Sequence, residues 1–445
     1  MKISIKSLRK QTIYIIIGSS LFVAGFSTSF IQYKGMNFTA VVYGKIKEIL
    51  DRPPKYEFMA PTVIESSRYQ IYLNSEFPIK GEYQITIDSK NNLYAIDRKK
   101  GDLFFFKQGN LENGKLMSNI YKDLYISLNN KRNYPPLAMD LHYVNGKLLY
   151  SIVLLDDINR CEYMILARSN VEGEVVTATS IFFKTPCIND QYNSVMWGGR
   201  FTNSDKDIYL SIGEQRFDRS GFPKKDLKII DPKTTNIFGT VLKFSLNLDE
   251  WAVFATGLRN PQGLFWDEES KRLFESEHGP NGGDEINILE EGLNYGWPYT
   301  SFGKPYAKKY PSGVDELDQS RNPRVGVEIV LKNLISQSDL HSHFHSGHTL
   351  PIFSWIPGVG AGNLLYMNKS FILKDWRDNL LVAHMGNGEL HRLALSKNKV
   401  LLNEKILLGF RVRDILINQN GILYFSSDDG TIMAYHTYDS KLDKY

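Results

Sequence analysis

A strand-rich pattern recurs six times along this chain, and few folds accommodate six such units in one polypeptide. Each copy offers a strand, a polar turn, a second strand containing Leu-Tyr or an equivalent, and a further hairpin. It is visible at Tyr83 to Phe106 (YQITIDSKNNLYAIDRKKGDLFFF) and at Leu137 to Arg168, around LHYVNGKLLYSIVLL. It returns at Gly199 to Leu246, through Gly257 to Pro298, at Leu364 to Leu395 and at Ile415 to Tyr435. None of the copies carries a long helical period, so the chain reads as all-β. A six-bladed β-propeller is the expectation. The uneven spacing leaves a large β-sandwich or two stacked barrels open. At 445 residues, with 42% hydrophobic and 13% aromatic content, the chain has material for one large all-β body or for two or three domains of average size.

Lys2, Lys6, Arg9 and Lys10 account for the whole excess of 53 Lys+Arg over 49 Asp+Glu. The rest of the chain is balanced and offers no basic face for nucleic acid. Those cations precede an apolar run from Ile13 to about Ile31, near the ~20 residues that a membrane-spanning helix needs. Positive charge before the span predicts a cytoplasmic N-terminus and a body on the periplasmic or extracytoplasmic side. A cleaved signal peptide competes, with the small residues around Ala24 to Ser29 as its processing site. The length of the run and the lack of a closing A-x-A motif favour an uncleaved signal-anchor. In an exported body Cys161 and Cys187, the only two cysteines, form either a disulfide or two buried thiols. Residues 1–31 therefore read as a basic tip and transmembrane anchor. Residues 32–76, with Asp51-Arg52-Pro53-Pro54, read as a linker or stalk, and 77–445 as the propeller.

Gly, Pro, Asn and paired acids are densest between Gly257 and Pro298. Two short apolar runs, Gly263 to Trp266 and Leu273 to Glu275, flank the acidic turn Asp267-Glu268-Glu269-Ser270 and predict a hairpin. In the loop that follows, Glu277, Asp284 and Glu285 bring three carboxylates near the backbone carbonyls of Gly279 and Pro280. Glycines at 279, 282 and 283 let the main chain approach a ligand. Hard oxygen donors on such a backbone suit calcium better than zinc or magnesium. Taken alone, an acidic Gly-rich loop is more often a solvated turn.

The motifs Arg259-Asn260-Pro261-Gln262-Gly263, Glu277-His278-Gly279-Pro280, Gly283-Asp284-Glu285 and Asn294-Tyr295-Gly296-Trp297-Pro298 follow one another in fixed order. In them the chain resembles the soluble PQQ-dependent sugar dehydrogenases, the glucose/sorbosone and aldose dehydrogenase family of six-bladed β-propellers. A weaker likeness extends from about Ile85 to about Thr431. The resemblance implies hydride transfer from a sugar or related polyol to a calcium-bound quinone, PQQ, with a base taking the hydroxyl proton. It implies that the carbonyls of Gly279 and Pro280 hold the quinone's calcium. Glu285 and the Tyr295 carbonyl would hold a structural one. Arg259, Asn260 and Gln262 would line the cofactor and substrate pocket. Arg411 and Arg413, at i and i+2 in GFRVRD, face the same way on a strand and would grip the quinone's carboxylates. Nothing in the sequence names the electron acceptor.

The chain also departs from the family. A histidine base opens the family motif H-x-x-G-R-L, whereas this chain reads Met196-Trp197-Gly198-Gly199-Arg200-Phe201. By the resemblance, the acid that would orient the base is Glu214, one methylene longer than the usual aspartate. Gly386 stands where a quinone-contacting lysine is expected, and the Pro-Ser-x-Ala-Pro-Ser-type loop is Pro357-Gly358-Val359-Gly360-Ala361-Gly362. Loss of a general base costs on the order of 10²- to 10⁴-fold in rate. Glu214 or His384 is the available replacement, although His384 reads better as a core or rim histidine. His341, His343, His345 and His348 alternate as a metal site would, yet an exposed loop with adventitious affinity fits them better. Trp197, Trp266, Trp297, Trp355 and Trp376 read mainly as blade core rather than sugar platforms. Two functions remain in view. One is a PQQ-dependent sugar dehydrogenase, and the other is a catalytically silent, calcium-braced propeller that binds a glycan or a partner protein at the cell surface.

Overall fold

The computed structural model describes residues 63–65, 70–126, 136–156, 158–159, 161–189, 196–215, 237–280, 282–297, 300–303, 348–369, 371, 373–386, 388–428 and 430–436. Among these, the strands form six antiparallel sheets, the blades of a β-propeller. Blades 1 to 6 open with the inner strands Tyr83–Ile87, Leu137–Val144, Gly198–Asn203, Pro261–Asp267, Ala361–Met367 and Val412–Ile417. Successive inner strands lie side by side around the ring until the sixth meets the first. All six expected repeats fall on blades. The hairpin expected in the central stretch forms between Pro261–Asp267 and Arg272–Glu277.

Burial follows position in the blade. The second strand of blade 1, Leu93–Asp97, is buried at every residue, as befits a strand covered on both faces. The outer strand of blade 5, Lys399–Leu407, buries only Ile406. The apolar core is divided accordingly. Six clusters of buried side chains lie in the described residues, each shared by two adjacent blades. Fully burying a Leu or Phe contributes about 1.5–3 kcal/mol, so each blade draws its stability from both neighbours. Trp197 and Trp376 are fully buried in such seams.

The ring closes with a strand from before blade 1. Gln70–Glu76 pairs with the last strand, Ile432–His436, with Leu73 opposite Tyr435, and Val63–Glu65 adds to its outer side. This corrects the expected linker over 32–76, because the propeller begins upstream of residue 77. Mixed polarity in Gln70–Glu76 reflects an outer-strand position. Closure of this kind joins strands from the two ends of the described residues in one sheet, as a propeller closes its ring. Cys161 and Cys187 are joined in a disulfide, which decides between the two cysteine readings.

Arg200 holds the inner strands together. Its guanidinium donates to Gln84 Oε1 (2.7 Å), Asp140 Oδ1 (2.9 Å) and the carbonyls of Gln262 and Arg413 (both 2.9 Å). Asp414, 3.4 Å from it, accepts from Asn363 of blade 5 (2.6 Å) and from the Ile85 N–H (3.1 Å). All six blades thus meet in one buried polar network. Such a charge offsets its desolvation only when well hydrogen-bonded, and every guanidinium nitrogen of Arg200 has a partner. No helix among the described residues is long and apolar enough to cross a membrane. The span expected over Ile13 to about Ile31 lies outside the described residues.

Candidate functional site

In an antiparallel blade the start of the inner strand and the end of the second strand lie at the same end. Arg259 and Asn260 precede the inner strand of blade 4, and Glu277 closes its second strand. Met196 precedes the inner strand of blade 3, and Glu214 follows its second strand, Asp207–Ile212. Arg411 precedes the inner strand of blade 6, and Asp428 follows its second strand, Ile422–Ser427. One mouth of the ring therefore carries all the expected site residues of these three blades.

Blade 4 builds the centre of this mouth. The N–H groups of Arg259 and Asn260 donate to Glu277 Oε2 at 2.5 and 3.2 Å. The Arg259 guanidinium donates to the carbonyls of His278 (2.8 Å) and Gly279 (2.9 Å) and lies 5.2 Å from the Trp297 ring centre. Gln262 Nε2 donates to Asn260 Oδ1 at 3.0 Å. Asp284 acts as a clamp: one oxygen accepts from the Gly279 N–H (3.0 Å), the other from Val359, Gly360 and Ala361 (2.8, 2.6 and 3.2 Å). It fastens the blade 4 loop to the opening loop of blade 5. Glycine is required at 279 and 283, where a Cβ would fall 2.2 Å from the Gly283 carbonyl oxygen and 2.2 Å from the Gly303 nitrogen.

The expected trio of carboxylates is thus largely engaged. Asp284 and one oxygen of Glu277 serve backbone N–H groups, and Glu285, which faces Glu277 across the strand pair, takes hydrogen bonds from the Phe302 backbone and the Asn287 side chain. A cavity of about 10 Å³, the size of one water or small ion, is lined by Arg259, Glu277, Gly279, Glu285, Tyr295 and the hydroxyl-bearing Thr300 and Ser301. Pro280 is not part of this lining. Burial, and then the facing Glu277 charge, drives the Glu285 carboxyl well above its usual range. Burial pushes Glu277 up to about 7, against the stabilising N–H groups of Arg259 and Asn260. Deeper on the same face, Glu275 Oε1 and Asn287 Oδ1 are buried without a hydrogen-bond partner. Carboxylates, hydroxyls and unpaired oxygens suit a hard cation such as calcium. The carbonyl of Gly279 already accepts from Arg259, so the Glu285 side of the cavity fits a cation better than the Gly279 and Pro280 side does.

Blade 6 adds positive charge. Arg413 grips Asp428 with two bonds, at 2.7 and 2.6 Å, and Arg411 lies 3.4 Å from the same carboxylate. Arg411 remains half exposed. Arg98, buried nearby in blade 1, is lowered to about 10 by burial and by the charge of Arg413. Arg98 is itself paired with Glu82 at 3.4 Å, so the surplus rests on Arg411 and Arg413 sharing the one carboxylate Asp428, an arrangement suited to a polyanion. The sequence reading found the arginine pair but missed Arg98, Asp428 and the clamp role of Asp284. The SSDDG turn was the available signal for Asp428.

Blade 3 places Met196 and Glu214 at the same mouth. Met196 is buried, and its carbonyl accepts from Gln215 Nε2 at 2.8 Å. Gly213 packs against the same carbonyl, so both neighbours of Glu214 touch Met196. Glu214 is fully buried and its N–H donates to the Arg259 carbonyl at 2.8 Å. His384 is fully buried between Trp355 and His391, which fits the core reading rather than the replacement-base one. His341, His343 and His345 lie outside the described residues.

The family model described as glucose/sorbosone dehydrogenase matches residues 137–342 and 336–434. The aldose sugar dehydrogenase YliI of Escherichia coli is 29% identical over 181 residues, 40% of this chain and 42% of that protein. Quinoprotein glucose dehydrogenase B of Acinetobacter calcoaceticus is 26% identical over 204 residues, 40% of this chain and 42% of that one. The matches therefore span about two fifths of these relatives' length. The apo-form structure of the soluble Escherichia coli aldose sugar dehydrogenase superposes with a TM-score of 0.60 at 16% identity, covering 83% of this chain and 99% of that one. The PQQ-bound aldose sugar dehydrogenase of Streptomyces coelicolor gives 0.56 at 14% identity, covering 85% and 100%. At such identities the structural likeness bears on the fold.

Proposed function

This chain belongs to the glucose/sorbosone dehydrogenase family, and on that premise we propose that it is a PQQ-dependent oxidoreductase acting on a sugar or related polyol. The observation that carries the reading is the arginine pair at the mouth, where Arg411 and Arg413 share the one carboxylate Asp428. Arg411, half exposed, and Arg413 would hold carboxylates of the quinone. Arg259, pinned by two carbonyls and the Trp297 ring, would present a fixed cation beside it, with Asn260 and Gln262 locked to each other as the adjoining polar wall. Bound there, a quinone polarised by calcium would supply the hydride acceptor. Glu285 and the Tyr295 carbonyl would hold a second, structural calcium in the small cavity beneath.

With Met196 in place of the histidine, proton removal falls to the Glu214 carboxylate, the acid whose neighbours brace Met196. Its full burial makes slow turnover the expectation. The disulfide Cys161–Cys187 supports an oxidising compartment, in keeping with a propeller held outside the cytoplasm by an N-terminal membrane anchor. The buried Met196 also favours a second reading, a calcium-braced propeller that recognises a glycan or partner protein without turnover.

Titrating the purified protein with PQQ in calcium-containing buffer, then adding aldoses and following the quinone's absorbance, separates the two. Binding followed by reduction supports the dehydrogenase. Binding lost in the Arg411→Ala/Arg413→Ala double variant places the quinone at this mouth. Absence of binding to the wild-type protein sinks the enzyme reading and leaves recognition. Restoring the base with Met196→His should raise the reduction rate on the order of 10²-fold or more.

A further inference from the structure

The second and third strands of blade 5 place two histidines and a glutamate on one buried face. Glu389 and His391 sit at i and i+2 of Glu389–Ser396 and so point the same way. The pairing of Ala383 with Leu390 sets His384, the last residue of Asn379–His384, beside Glu389 on that same face. Their relative exposures are 0% for His384, 7% for Glu389 and 2% for His391. One nitrogen or carboxylate oxygen from each lies within 4.8 Å of the others, and the two imidazole centres are 3.9 Å apart.

Hydrogen bonding accounts for His391 but leaves His384 unexplained. The Trp355 indole N–H donates to His391 Nδ1 at 3.0 Å. An indole nitrogen only donates, so Nδ1 is the acceptor. The ring proton then sits on Nε2, 3.3 Å from Glu389 Oε2. Lys405 lies 3.2 Å from the same carboxylate and is 56% exposed, free to swing into water. Neither nitrogen of His384 has a hydrogen-bond partner. A buried polar atom left in that state destabilises the fold. An apolar side chain would fill the seam between blades 4 and 5 without that cost.

We propose that His384, Glu389 and His391 form a binding site for a first-row transition-metal ion of the Zn²⁺ type, bracing blade 5 at its seam with blade 4. Two imidazoles and one carboxylate are a three-residue ligand set for zinc. Nitrogen donors select such an ion over calcium, so the site is independent of the oxygen-lined cavity in blade 4. Burial, with His391 and Lys405 adding to it, lowers His384 to about 2, which keeps the imidazole in its neutral, ligating form. Metal at His391 Nε2 replaces the proton now shared with Glu389. The ring's N–H then moves to Nδ1, and the Trp355 indole gives up its bond.

The full chain, stripped with chelator and reloaded with Co²⁺, tests this through metal stoichiometry, the visible absorption of the bound ion and tryptophan emission. One equivalent should bind, alter the emission, give way to Zn²⁺ and ignore Ca²⁺. His384→Leu and the isosteric Glu389→Gln should each weaken binding by at least about 100-fold, the upper end of what losing a mere outer-shell partner costs. The His341→Ala/His343→Ala/His345→Ala variant should leave it unchanged. No binding, binding that survives both blade 5 variants, or binding abolished by the triple variant would each overturn the proposal. Glu389→Gln decides the matter should His384→Leu fold poorly.

Discussion

Blades 4 and 5 fill one backbone slot with opposite chemistry. Glu277 closes the second strand of blade 4 opposite Pro261, and His384 closes that of blade 5 opposite Ala361. Glu277 is surrounded by oxygen: Glu285 across the sheet, Glu275 two residues back, and a small cavity beside it. Backbone N–H groups and the Arg259 charge partly compensate it. His384 meets aromatic rings and a second imidazole and bonds to none of them. The repeated fold supplies the position, while the surrounding side chains decide which ion, if any, the position can serve.

The bond between these blades is the first thing to break. Asp284 accepts four backbone N–H groups, three of them from blade 5. Asp284→Ala leaves those donors unsatisfied, so a loss on the order of 4 kcal/mol is expected. Urea unfolding measures it, and an unchanged midpoint would show that the clamp is idle. The oxygen site is next. Calcium at 100 times its Kd should stabilise the wild type by about 2.7 kcal/mol. Glu285→Gln should abolish that gain while His384→Leu retains it, as read by melting with and without chelator. A gain that disappears with His384→Leu would merge the two sites into one. The smallest effect carries the least intuitive sign. In metal-free protein His384→Leu should stabilise by about 1 kcal/mol, because an unpaired buried imidazole gives way to an apolar side chain. Destabilisation beyond a cavity's cost would mean that the histidine is bonded in solution.

Much of the fold was legible because strand and turn signals are local. YQITIDSKNNLYAID reads as two strands around a polar turn wherever it occurs, and all six such copies became blades. Gln70–Glu76 escaped because its partner, Ile432–His436, lies at the other end of the chain and outer-strand polarity imitates a linker. Arg259, Asn260, Glu285 and Tyr295 were found through a motif, and they do gather at one mouth. The motif could not reveal that Asp284 would be spent on loop N–H groups, or that Arg259 would take the Gly279 carbonyl. Both depend on loops from different blades arriving within hydrogen-bonding distance.

By itself the sequence determined the repeat number, the family and the residue types available to the site, because periodicity and motif order are properties of neighbouring residues. Tertiary structure alone decided how those residues are employed. It set Arg200 at the meeting of six blades, gathered Arg411 and Arg413 around Asp428, and brought His384 against His391. The physical reason is that charge pairing, desolvation and metal ligation act over a few ångströms of space. In a ring of blades those few ångströms join residues that the chain itself keeps far apart.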